Sequence, residues 1–161
     1  MVKNIVICVN PKQDELMNNI INWSKENLKL SQETSLTLLF AHCVESDLAT
    51  YALEPDFASV SEYIIKEGEE HLREFDALMS RLSSQFKKEL NVPVEFKILK
   101  GIEEPYNQIS KFVEENHSEL LIVGSRDLGF WQRLWSTSFS DSIIHSVHCP
   151  IVIIKPSLKE G

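Results

Sequence analysis

Three runs of strand length, residues 5–9, 36–44 and 120–123, are apolar almost without interruption, and Ile151–Ile154 is a fourth. A strand that reads continuously rather than alternately apolar buries both faces, the condition found in a parallel sheet covered by helices on either side. The intervening segments carry the helical period. Leu16, Ile20, Trp23 and Asn27 or Leu28 follow the first run, with Asp14 placed to cap the helix start. Val60, Ile64, Gly68, Leu72, Phe75, Met79, Leu82 and Phe86 step by threes and fours along one long amphipathic helix, weakened at Gly68. Ile109, Phe112 and Val113 form a third stripe behind Pro105, which suits a first helical turn, with Glu103 and Glu104 near its positive end. Residues 138–147 predict a fourth helix, with Ile143, Ile144 and Val147 on its buried face. Val94, Phe96 and Ile98 alternate with Glu95, Lys97 and Leu99 up to Gly101, which places that strand nearer a sheet edge.

Five strands thus alternate with four helices, without an internal repeat or a long linker, although residues 45–59 show no period. The expectation is a single α/β domain over residues 1–161, an open and mainly parallel five-stranded sheet with helices on both faces. A length of 161 residues is enough for one such core. Against 16 Lys and Arg stand 24 Asp and Glu, a net charge of -8, which opposes nucleic acid and anionic membranes as partners. The longest apolar runs fall short of the roughly 20 residues that span a bilayer, and the first residues do not read as a signal peptide. The predicted location is cytoplasmic.

Cys8, Cys43 and Cys149 show neither a C-x-x-C pair nor an even framework and read as reduced thiols, with Cys8 a small buried hydrophobe. His42-Cys43 and the stretch from His145 to Cys149 contain metal-ligand types, but a metal site requires the two segments to converge. No metal is predicted.

In open sheets of this kind ligands bind beyond the carboxyl ends of the strands, where the strand order reverses, so the loops after Val9 and Val123 matter most. The first opens with Asn10-Pro11, which also suits a plain turn. The second runs from Gly124 through Arg126, Asp127, Gly129, Phe130, Trp131, Arg133, Trp135, Thr137 and Ser138 to Ser140. Glycines admit a phosphate close to the backbone, arginines supply charge, and Ser138 and Ser140 stand where the N–H groups of the next helix favour anions. Ser138 serves equally as an N-cap, and the aromatic residues as packing for the loop.

With these features the chain resembles the universal stress protein family. The likeness extends over the opening strand, the approach from Glu119 to Arg126, the serines before the last helix and the closing stretch from Cys149 to Lys155. It implies an adenine-nucleotide alpha-hydrolase-like sheet of order 3-2-1-4-5 and a homodimer formed through the final strand. It also implies a loop motif of glycine, two residues, glycine, nine residues, glycine and then serine or threonine, which binds ATP phosphates and ribose. Laid onto this sequence, Gly124 holds the first glycine position, Asp127 the second, Thr137 the third, and Ser138 the final one. Asp127 puts a carboxylate where phosphate is expected, and Thr137 puts a β-branched side chain where the family has no Cβ. The family's acidic residue near adenine is here Asn10, which hydrogen-bonds but carries no charge.

The expected function is a noncatalytic stress-response or regulatory protein with a degenerate nucleotide site that binds ATP weakly or not at all and acts through a protein partner. The alternative is an ATP- or AMP-binding sensor, assisted by Mg, that uses Gly124, Arg126, Gly129, Ser138 and Ser140 and hydrolyses ATP slowly. An enzyme of the related adenine-binding folds needs its own phosphate loop after the first strand, and Asn10-Pro11-Lys12-Gln13-Asp14 does not supply one. No catalytic residue is predicted.

Overall fold

The computed structural model describes residues 2–43, 57–101, 103, 105–124 and 143–155, the side chains at 42, 43, 57–72, 101 and 105 excepted. Its elements run β1 (Asn4–Cys8), α1 (Asp14–Asn27), β2 (Ser35–Cys43), α2 (Phe57–Leu90), β3 (Val94–Gly101), α3 (Pro105–Glu115), β4 (Leu120–Gly124) and β5 (Ile151–Ile154). A helical turn over 143–146 precedes β5. The predicted fourth helix is seen only there, since 138–142 lie outside the described residues.

The five strands form one sheet of order β3-β2-β1-β4-β5, parallel at every pairing. This is the predicted order. Registers such as Ile7 beside Leu38 on one side and Ile122 on the other put β1 at the centre. All of β4 and four of the five residues of β1 are buried, as their unbroken apolar sequences require. The alternating strand β3 stands at an edge, and β5 at the other.

Because successive side chains of a strand point to opposite faces, β1 feeds two cores. Ile5 and Ile7 join Leu36, Leu38 and Ile122 beneath Ile20 of α1 and Met79 and Phe86 of α2. Val6 and Cys8 join Leu39, Leu121 and Val123 beneath Ile109 and Phe112 of α3 and Ile143 and Val147. Gly68 lies within α2 and does not end it, because one glycine costs only about 1 kcal/mol in a helix interior. Asp14 is not the cap of α1. Gln13 holds that position without a side-chain capping bond, and Asp14 and Glu15 occupy the first turn, where they favour the positive helix end.

Helix α3 ends in a Schellman turn. The N–H of Ser118 donates to Val113 O at 3.0 Å and that of His117 to Glu114 O at 3.2 Å, with His117 in the left-handed region at φ 51°. A side chain there strains the backbone, so His117→Gly is expected to raise stability by about 0.5–1 kcal/mol and His117→Val to lower it, read from urea denaturation midpoints.

Candidate functional site

The chain leaves β1 toward α1 on one face and enters β4 from α3 on the other, so the carboxyl ends of these neighbouring strands flank a switch-point crevice. On the β1 side the backbone is tightly turned. Val9 N–H still donates to Leu39 O at 3.0 Å, Asn10 Oδ1 then accepts from Lys12 N–H at 3.1 Å, and Gln13 N–H closes onto Asn10 O at 3.0 Å. Asn10 is therefore engaged in the turn through its side-chain oxygen. Lys12, itself exposed, has its ammonium 5.0 Å from the centre of the Phe75 ring, which stacks on Phe40 at 4.4 Å. That contact tethers a cation close to the end of β1.

Gln13 has a side-chain oxygen that is buried and makes no hydrogen bond. A buried acceptor without a donor costs about 1–3 kcal/mol, and the amino or hydroxyl group of a ligand is one way to satisfy it. Gly124, on the β4 side, is explained by packing. A Cβ built there meets Leu16 Cδ2 at 2.6 Å and Cγ at 2.9 Å, and Leu16 is 2% exposed in the core. The space a side chain needs at the end of β4 is filled by α1, so no ligand is required to account for this glycine.

Sequence reasoning took Leu16 for a core residue only and did not single out Lys12 or Gln13. A polar residue directly after the turn that ends a buried strand was the available signal for Gln13. Of the predicted site residues, the structure places Asn10 and Gly124 on the two strand ends. Arg126, Asp127, Gly129, Thr137, Ser138 and Ser140 lie outside the described residues, as do the aromatics Phe130, Trp131 and Trp135.

Among the described residues no three His, Cys, Asp or Glu side chains are placed to hold a metal ion, and the side chains of His42 and Cys43 are outside that set. Cys8 and Cys149 are free thiols. Burial pushes the Cys8 thiol up to about 12, and partial burial also raises Cys149. The folded state thus holds the Cys8 proton more tightly than the unfolded chain does. Its contribution to stability is complete below the ordinary thiol range and falls as pH rises from about 9 toward 12. In thiol titration at about pH 8, Cys149 is expected to react well before Cys8, which reacts only on unfolding.

A nucleotide fits this crevice unevenly. Asn10 has its oxygen committed and Gly124 opens no space on the α1 face, whereas the buried oxygen of Gln13 is left without a donor beside the same turn.

Three comparisons bear on this arrangement. The family model described as the universal stress protein family matches residues 1–155. Universal stress protein MJ0531 of Methanocaldococcus jannaschii is 22% identical over 138 residues, covering 85% of this chain and 75% of its own length. Among solved structures, the hypothetical protein MJ0577 superposes with a TM-score of 0.69 at 17% identity over 99% of both chains. The universal stress protein from Archaeoglobus fulgidus in complex with dAMP gives 0.58 at 19% identity, over 96% of this chain and all of its own, 100%.

Proposed function

The chain belongs to the universal stress protein family, and on that premise we propose that it is a noncatalytic stress-response regulator with a degenerate nucleotide site. It acts as one domain over residues 1–161, in the cytoplasm, and binds ATP weakly or not at all. The observation that carries this reading is the loss of two of the three motif glycines, to Asp127 and Thr137. The packing of Leu16 on Gly124 supports it, because the one glycine kept at a motif position is needed by the core whether or not a nucleotide binds.

A second reading is favoured by the orphaned oxygen of Gln13 and by the dAMP held by the Archaeoglobus fulgidus relative. On it, the protein is an ATP or AMP sensor in which Gly124, Arg126, Gly129, Ser138 and Ser140 hold the nucleotide with Mg, with slow hydrolysis at most. Titration calorimetry of the full chain with ATP, ADP and AMP, with and without magnesium, separates the two. Micromolar saturable binding selects the sensor. Absence of heat, with no thermal shift at millimolar nucleotide, selects the regulator.

In both readings the protein works as a homodimer through β5. This strand forms an edge of the sheet among the described residues, and Ile153 is an apolar side chain 43% exposed there. Ile153→Lys is expected to convert a dimer to a monomer in light scattering while thermal stability of the monomer holds. A wild-type protein that stays monomeric at high concentration removes this part of the reading.

A further inference from the structure

At the opposite end of the sheet from the crevice, α3 and the turn before β5 flank a solvent-open cavity of about 220 Å³. Its apolar walls are Val113 and the buried Val147, and His117 and His148 stand exposed beside them. Ser118 also lines it, and its hydroxyl oxygen is buried and makes no hydrogen bond. The registers explain the place: Ser118 and His148 lie just before the adjacent parallel strands β4 and β5, where Leu121 pairs with Ile151.

Among the described residues, the acidic charge at this cavity comes from Glu114. Glu114 lines it, exposed and outside the ion pairs among the described residues, in which the neighbouring Lys111 is taken by Glu103. No lysine or arginine is among the described residues that line it. The carboxyl end of α3, the negative end of the helix dipole, adds to the same field. An anion meets repulsion there and an ammonium does not. The volume, open to solvent on one side, admits a small ligand of about six to nine heavy atoms.

We propose that this cavity is a second ligand site, independent of the nucleotide crevice, for a small organic cation: a primary ammonium on a short apolar body. The apolar body lies against Val113 and Val147, the ammonium faces Glu114, and Ser118 Oγ accepts one of its protons. The imidazoles of His117 and His148 stand at the rim.

The test compares three probes of one length, pentylammonium, pentanol and pentanoate, titrated into the full chain at about pH 8, where the first is a cation and the last an anion. Backbone amide shifts are followed by NMR. The expected result is millimolar binding that perturbs residues 113–118 and 146–149, with pentylammonium about fivefold tighter than pentanol and pentanoate weakest. Glu114→Gln, an exposed and near-isosteric change, is expected to bring pentylammonium down to the level of pentanol. Ser118→Ala is expected to weaken pentylammonium a further few-fold. Pentanoate binding as tightly as pentylammonium overturns the proposal. So does an ammonium preference that survives Glu114→Gln, perturbation confined to other residues, or no binding of any probe. Unchanged binding in Ser118→Ala shows that water alone satisfies this hydroxyl and removes its assigned role.

Discussion

Gly124→Ala is expected to destabilise the fold by about 1–3 kcal/mol, although alanine normally strengthens a strand position relative to glycine. The added methyl falls 2.6 Å from Leu16 Cδ2 and 2.9 Å from Cγ. A clash with Cγ is not relieved by rotating the end of the side chain, and Leu16 is 2% exposed, so it has no free volume into which to move. The strain is shared by two side chains, and a double-mutant cycle exposes the sharing. Leu16→Ala alone costs about 2–5 kcal/mol through the cavity it leaves. In the pair Leu16→Ala with Gly124→Ala, the new methyl enters that cavity, and the combined loss is expected to fall short of the sum by at least about 1 kcal/mol. Urea denaturation of the four proteins measures this. Strict additivity would falsify the packing account of Gly124 and return the residue to the nucleotide loop.

The second large effect concerns affinity. Under the proposed function, Asp127→Gly with Thr137→Gly restores the motif glycines and is expected to raise ATP affinity by about a hundredfold. Two unit charges about 4 Å apart repel by about 4 kcal/mol at an effective dielectric near 20, and solvent at a loop reduces this by about a third or more. The gain should follow the phosphate count, largest for ATP, smaller for ADP and AMP, and absent for adenosine, because only phosphate meets the Asp127 carboxylate. Calorimetry with the four ligands decides it. Equal gains for adenosine and ATP point to a steric effect of Thr137 alone, and unchanged binding throughout removes Asp127 and Thr137 as the cause of weak binding.

The sheet was legible because burial on both faces leaves so little freedom in composition. Ile5, Val6, Ile7 and Cys8 are each buried, and a sequence that places such residues consecutively has few other places to put them. The edge position of β3 was legible for the converse reason, since Glu95 and Lys97 need solvent on one face. Helix ends were read less well. Asp14 has the chemistry of a cap, but the cap is fixed by backbone dihedrals, and the residue at φ -110° and ψ 76° is Gln13. His117 at a left-handed position is likewise a property of the turn into β4 rather than of histidine.

The site divides along the same line. The crevice location follows from strand order, which the alternation of elements encodes, whereas the reason for Gly124 depends on how closely α1 approaches β4, a distance no local pattern carries. The resemblance gave a second account of that glycine, and only the Leu16 contact shows that packing is sufficient. Lys12 was passed over because its partner ring belongs to α2, and nothing in the sequence near Lys12 signals Phe75.

The central place of β1 has a consequence for synthesis. Strand β1 leaves the ribosome more than a hundred residues before its second neighbour, residues 120–123. Until then β1 can pair only with β2, and the backbone groups of residues 5–8 that face β4 stay unpaired. A nascent chain of the first half is therefore a half-sheet with an unpaired apolar edge, the kind of intermediate that associates with other chains before it can close. Closure then joins segments far apart in sequence, so the sheet is completed late, at the slow pace that distant pairing imposes.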